Sequence, residues 1–162
     1  MGMENVMSEF EKFCQVVARL RAEDGCKWDR AQTHESLKAP CLEEAAEVIC
    51  GINILSETGN AENLKEELGD LLLQVAMHAQ IAAEEGLFTM DDVIRGISDK
   101  MVRRHPHVFG NASAGNPEEA LARWNEAKQK EKAGKEWMDA YLARALDESK
   151  ELLDIAKKRK GF

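Results

Sequence analysis

Glu43, Glu44, Glu47, Glu67 and Asp70 are the residues whose types and spacing point most directly to chemistry. They lie in LEEAAEVICGINILSETGNAENLKEELGD, the stretch from Leu42 to Asp70. Side chains three or four apart on a helix share a face, so Glu43 with Glu47, Glu44 with Glu47, and Glu67 with Asp70 form local pairs. Ser56 to Asn60 interrupts the helical pattern and is long enough to reverse the chain, which predicts two antiparallel helices with their acidic clusters facing each other. Like charges at helical spacing repel, so five converging carboxylates need a compensating cation. An all-oxygen donor set favours Mg²⁺ or Mn²⁺.

With 30 Asp and Glu in 162 residues, acidic pairs also arise on ordinary solvated faces. The helical wheel separates the two readings. At about 100° per residue, Leu42, Ala45, Ala46, Ile49 and Ile52 form an apolar stripe, with Glu43, Glu44 and Glu47 roughly opposite. On the next helix Asn63, Glu67, Asp70, Gln74 and His78 make one polar stripe, flanked by Leu64, Leu68, Leu71, Leu72, Val75, Ala79 and Ala82. A helix this apolar is not a surface helix, so its acids are expected to border a cleft; half-buried carboxylates without partners would be strongly disfavoured.

The elements that must position these residues are helical. Val6, Phe10, Phe13, Val17 and Leu20 recur at helical spacing and predict a first helix from Met3 to about Glu23. DGCKWDRAQTHESL reads as an irregular polar stretch, in which Trp28 is either a plug over the end of the helical core or a platform for a nucleobase. Pro40 predicts a boundary or kink before the Glu43 helix, and Asn60 an N-cap for a helix running to about Glu85 and stopped by Gly86. Thr89 with Asp92 predicts a helix from Met90 to about Arg104, its apolar face made by Val93, Ile94, Ile97 and Met101.

That helix ends in Lys100, Arg103, Arg104, His105 and His107 around Pro106. The helix dipole accounts for some cations at a C-terminus, but this density exceeds capping and fits a polyphosphate partner. Asn116-Pro117 predicts a helix to about Ala133 that carries Trp124 and Lys128 on one face, where core packing and solvation account for them as well as binding does. A last helix, about Lys135 to Lys158, carries Trp137, Tyr141, Ala145, Leu152 and Ile155 and ends in KKRKGF, read as a solvated terminus with a frayed tail. No strand alternation, Gly-rich phosphate loop or repeat is visible. The predicted fold class is all-α, a helical bundle with a four-helix core shared between subunits, because the Glu43 helix and its successor both demand cover.

Composition narrows the function classes. Hydrophobic residues at 44% and charged residues at 32% fit a single folded helical domain with a substantial core. A net charge of −8 argues against general affinity for nucleic acid or anionic membrane. No run reaches the ~18 apolar residues of a membrane span, and no signal pattern opens the chain, so a cytoplasmic protein is expected. Cys14, Cys26, Cys41 and Cys50 lack CxxC spacing and read as reduced thiols, without a zinc or disulfide role.

The stretches WDRAQTHESL, LEEAAEV, EELGDLLLQVAMHAQIA, DKMVRRHPHVFG and RWNEAKQKEK, in that order from about Leu20 to Lys132, resemble the MazG-type nucleoside triphosphate pyrophosphohydrolases. EExxE and ExxD together with RRHPHVFG carry the specificity. The resemblance implies an all-α enzyme cleaving nucleoside triphosphates to monophosphate and pyrophosphate. It implies Glu44, Glu47, Glu67 and Asp70 as metal ligands, Glu43 as their outer partner or as a base, and Lys100, Arg104, Trp124 and Lys128 around the phosphates and base. Trp28 and Arg103 complete the candidate substrate contacts. Residues 1–134 would be the catalytic domain, with 135–162 part of the same domain or an oligomer contact. The chain departs from the family pattern at Lys27 and Cys41, and it carries one acidic set where many relatives carry two. The family builds its sites from paired subunits, which implies a homodimer or homotetramer. Rival readings are a related dUTP or phosphoribosyl-ATP pyrophosphatase, or a non-catalytic helical module that binds metal or nucleotide. A di-iron bundle would need Glu-x-x-His motifs, and His78 does not follow a Glu at that spacing.

Overall fold

Local capping chemistry starts the first helix. The Ser8 hydroxyl accepts from the Glu11 N–H while the Glu11 carboxylate accepts from the Ser8 N–H, a reciprocal cap that opens α1 (Glu9–Arg21). The computed structural model describes residues 7–162, so the predicted Met3 to Val6 portion of this helix lies outside the described residues. After α1 come α2 (Lys27–Ala31), α3 (Lys38–Thr58), α4 (Glu62–Glu84), α5 (Met90–Arg104), α6 (Pro106–Phe109), α7 (Pro117–Lys132) and α8 (Met138–Arg159). No strand occurs among the described residues, and the fold is all-α as expected.

Pro40 does not bound the Glu43 helix. It sits inside the first turn of α3, where its missing N–H has no intrahelical acceptor to lose. Gly59 closes α3 with φ +74°, a left-handed conformation that only glycine adopts without strain. The Asn60 side chain then accepts from the Glu62 N–H at 2.9 Å from one position before the N-cap, which is Ala61 and not Asn60 as predicted.

The short Gly59 to Ala61 connection leaves α3 and α4 antiparallel, and Gly51 sets how close they come. A Cβ at residue 51 would lie 2.7 Å from the Leu64 Cα, so only glycine permits this backbone approach. The buried core lies beyond this point, where Val17 of α1 and Leu37 pack with Ala76, Met77 and Ile81 of α4, joined by Phe13, Leu73 and Met90. The Arg21 side chain, only 6% exposed, pairs with Glu84 at 2.7 Å and donates to the backbone carbonyls of Asp29 and Gln32, tying α1, α2 and α4 together. His34 stacks on His78 with their Nδ1 atoms 2.7 Å apart. By contrast Ile49, Ile52, Leu68, Leu72 and Val75, the apolar residues expected to need cover on α3 and α4, remain exposed.

The chain divides into two compact units, one formed by residues up to Met90 together with Ser149–Phe162, the other by Asp91–Glu148. In the second, Asn116 caps α7 by accepting from the Glu119 N–H at 2.9 Å, with Pro117 in the first turn. Pro106 opens the short helix α6, which the sequence pattern had not separated from the basic cluster; its fixed φ suits a first helical position. No disulfide links the four cysteines.

Candidate active site

Three of the five predicted carboxylates meet. With α3 and α4 antiparallel about Gly51 and Leu64, Glu44 faces Glu67 and Asp70, and one ligand oxygen from each lies within 4.8 Å of the others. Glu67 is buried, and its Oε1 accepts from Asn63 Nδ2 at 2.9 Å, one turn earlier on the same helix. Burial pushes the Glu44 carboxyl above the usual glutamate range, and the charges of Glu47, Asp70 and Glu67 push it further. A half-buried oxygen-only donor set under mutual repulsion fits a hard divalent cation such as Mg²⁺ or Mn²⁺, which would supply the missing positive charge.

Glu43 and Glu47 engage cations of the chain itself. Arg159 donates to the Glu43 carboxylate and Lys160 to that of Glu47. The hydrogen bond from Lys160 to Glu47, with the charges of Glu47, Glu43 and Glu44, holds the Lys160 ammonium above the ordinary lysine range. The basic end of α8 is exposed, as its composition suggested, but two of its cations pair with carboxylates of α3. Together with Glu43, Glu47 and Glu67, residues Lys157 and Lys160 border a cavity of about 590 Å³.

The predicted basic residues lie in the other unit, where α5 to α7 bring some of them together. Arg104 donates to Glu131 at 2.7 and 3.0 Å, Arg103 donates to the same carboxylate at 3.3 Å, and the Arg104 guanidinium lies 4.9 Å from the Trp124 ring centre. Hydrogen bonding from Arg104 holds the Glu131 carboxyl below its ordinary range, and His105 packs edge-on against Trp124. Lys100 is half-buried and Lys128 exposed. Trp28 is 64% exposed on α2, so it does not plug the end of the core. Arg159, Lys160 and Glu131 escaped sequence reasoning because each is defined by a partner distant in the chain.

Residues 32–109, which hold all five acids and the Lys100 to Arg104 segment, match the model of the MazG nucleotide pyrophosphohydrolase domain family. This stretch is similar to MazG domains. Over 126 residues the chain is 48% identical to the nucleoside triphosphate pyrophosphohydrolase/pyrophosphatase MazG of Thermotoga maritima, covering 78% of this chain and 46% of that protein. It is 44% identical over 130 residues to the nucleoside triphosphate pyrophosphohydrolase of Escherichia coli K12, covering 80% of this chain and 48% of the relative. A 48% identity over 124 residues relates it to the uncharacterized protein YabN of Bacillus subtilis, covering 76% of this chain and 24% of that one. The chain thus spans about half the length, or less, of these relatives. Trp28, Trp124, Lys128, Arg159 and Lys160 lie outside the stretch matched to the MazG domain.

Proposed function

We propose that this protein hydrolyses nucleoside or deoxynucleoside triphosphates to monophosphate and pyrophosphate with Mg²⁺ or Mn²⁺, in nucleotide-pool housekeeping. The convergence of Glu44, Glu67 and Asp70 from two antiparallel helices of a stretch similar to MazG domains carries this reading. Glu44, Glu47, Glu67 and Asp70 would hold the cation, Glu47 exchanging Lys160 for it. When bound, the cation supplies charge neutralisation at the phosphates and lowers the pKa of a water. Glu43 accepts the proton of the attacking water. Lys100, Arg103, Arg104 and Lys128 offset the negative charge that develops on the leaving pyrophosphate, and Trp124 and Trp28 offer faces to the base. The chemistry rests on positioning and electrostatics, without a covalent intermediate.

The exposed Ile49, Ile52, Leu68, Leu72 and Val75 support assembly into a homodimer or homotetramer, in which a second α3–α4 pair completes a four-helix core. We take residues 1–134 as the catalytic helical domain and 135–162 as part of the same domain or an oligomer contact; residues 149–162 cluster with those up to Met90, and 135–148 with 91–134. The net charge of −8, and a structure in which no helix of the described residues is long and apolar enough to cross a membrane, support a cytoplasmic enzyme without nucleic-acid or membrane partners. A panel of NTPs and dNTPs assayed for released pyrophosphate with Mg²⁺ tests the reading. Release from none of them, by protein shown to be folded, contradicts it.

A further inference from the structure

We infer that the basic end of α8 is the cationic wall of the same cleft, and that Lys157 and Lys160 bind the phosphates of a metal–nucleoside polyphosphate. This rests on the hydrolase reading and adds to it residues outside the MazG match, Lys157 in the last turn of α8 and Lys160 just past its end, where the sequence pattern suggested only solvation.

Three observations carry it. The first is the cavity of about 590 Å³ bordered by Lys157 and Lys160 together with Glu43, Glu47 and Glu67. Its volume suits a nucleotide-sized ligand. The second is its two-signed lining. A metal-bound polyphosphate is itself two-signed, a cation wrapped in anionic oxygens, so carboxylates take the metal and ammonium groups take the oxygens. Phe162 and Ala156 add an apolar surface to the same cavity, which suits the uncharged parts of a nucleoside.

The third is the present pairing. Lys160 is bonded to Glu47 and Arg159 to Glu43, so the basic segment is held against the acidic helix. Once Glu47 turns to a divalent cation, the Lys160 ammonium loses its partner, while the buried Ala156, four residues earlier, keeps this end of the chain beside the cavity. A phosphate oxygen arriving with the cation replaces the lost carboxylate. The Glu47–Lys160 ion pair is thus exchanged for two, one on each side of the ligand. A segment that only blocked the cleft would compete with the ligand, and its removal would tighten binding.

The test uses the full chain with Lys157 and Lys160 both changed to Gln, titrated with the α,β-methylene analogue of ATP in MnCl₂ by calorimetry, and with MnCl₂ alone by electron paramagnetic resonance. Losing two charge-assisted bonds should weaken analogue binding at least about tenfold, and weaken AMP binding less. Binding of Mn²⁺ alone should hold or tighten, since a competing ammonium is gone. The variant Lys157→Arg with Lys160→Arg keeps both charges and should retain most of the affinity, which separates a charge effect from a folding defect. Unchanged or tighter analogue binding by the Gln variant overturns the inference, as does wild-type protein that binds no analogue. If the wild type releases pyrophosphate from NTPs while the Gln variant binds normally, this inference alone fails. If the wild type binds the analogue through these lysines but releases no pyrophosphate, the hydrolase reading alone fails.

Discussion

Gly51 lies so close to Leu64 that a side-chain carbon at residue 51 would come within 2.7 Å of the Leu64 Cα and 3.2 Å of its Cβ. This contact sets the spacing between the helix that carries Glu44 and the helix that carries Glu67 and Asp70. Alanine favours a helix interior over glycine by about 1 kcal/mol, but a contact this short against backbone forces the helices apart. Gly51→Ala should lower stability by about 1–3 kcal/mol in urea unfolding and weaken Mn²⁺ binding at the carboxylates. A variant as stable as the wild type would show that α3 and α4 do not depend on this approach.

Glu44→Gln, Glu67→Gln and Asp70→Asn should each abolish pyrophosphate release while far-ultraviolet circular dichroism stays that of the wild type. Near wild-type turnover at saturating Mg²⁺ would dismiss the site assignment.

Glu44 also predicts a pH dependence. Its carboxyl is raised by burial and by Glu47, Asp70 and Glu67, so the folded state takes up its proton more readily than the unfolded chain. The contribution to stability is therefore present below the ordinary glutamate pKa and is lost as pH rises through the raised value. Without metal, the thermal midpoint of Glu44→Gln should exceed that of the wild type at neutral pH and converge with it in acid. A midpoint difference that does not vary with pH would contradict this.

The His34 and His78 rings stack with centres 5.1 Å apart, and one Nδ1 donates to the other. Burial, then the charge of His34, pushes the His78 pKa below its ordinary 6.5. The unfolded chain therefore takes up protons first on acidification. Stability from this pair is complete above that ordinary value and is lost as pH falls through it toward the lowered one. Urea midpoints at pH 7.5 and 5.5 should differ more in the wild type than in His78→Gln; equal differences would dismiss the pair as a source of acid sensitivity.

Arg104→Ala and Lys128→Ala should weaken triphosphate binding about tenfold or more and monophosphate binding little, because contacts to outer phosphates exist only in the longer ligand. Equal losses with ATP and AMP would place these residues away from the outer phosphates.

Sedimentation at micromolar concentration should show a species larger than the 18.1 kDa chain. Aspartate at both Ile49 and Leu68, 60% and 51% exposed in the single chain, should return it to a monomer and remove activity. A wild-type monomer that still releases pyrophosphate would rule out dependence on association.

Local chemistry was legible in the chain itself. α5 begins at Met90 and α7 at Pro117 as predicted, because caps and prolines act on residues within one turn. Glu44, Glu67 and Asp70 could be brought together on paper because helical periodicity and one short reversal determine which faces meet. Pro40 misled because a proline in a first turn and a proline before a helix leave the same mark in a sequence. What only the tertiary structure decided lies at long range. Glu43 and Glu47 share the spacing of Glu44, yet they pair with Arg159 and Lys160, and Arg103 and Arg104 converge on Glu131. Charge has no period and its partner no set distance along the chain, so KKRK reads as solvent-facing, and its residues are exposed; only the tertiary structure brings Arg159 and Lys160 within reach of Glu43 and Glu47.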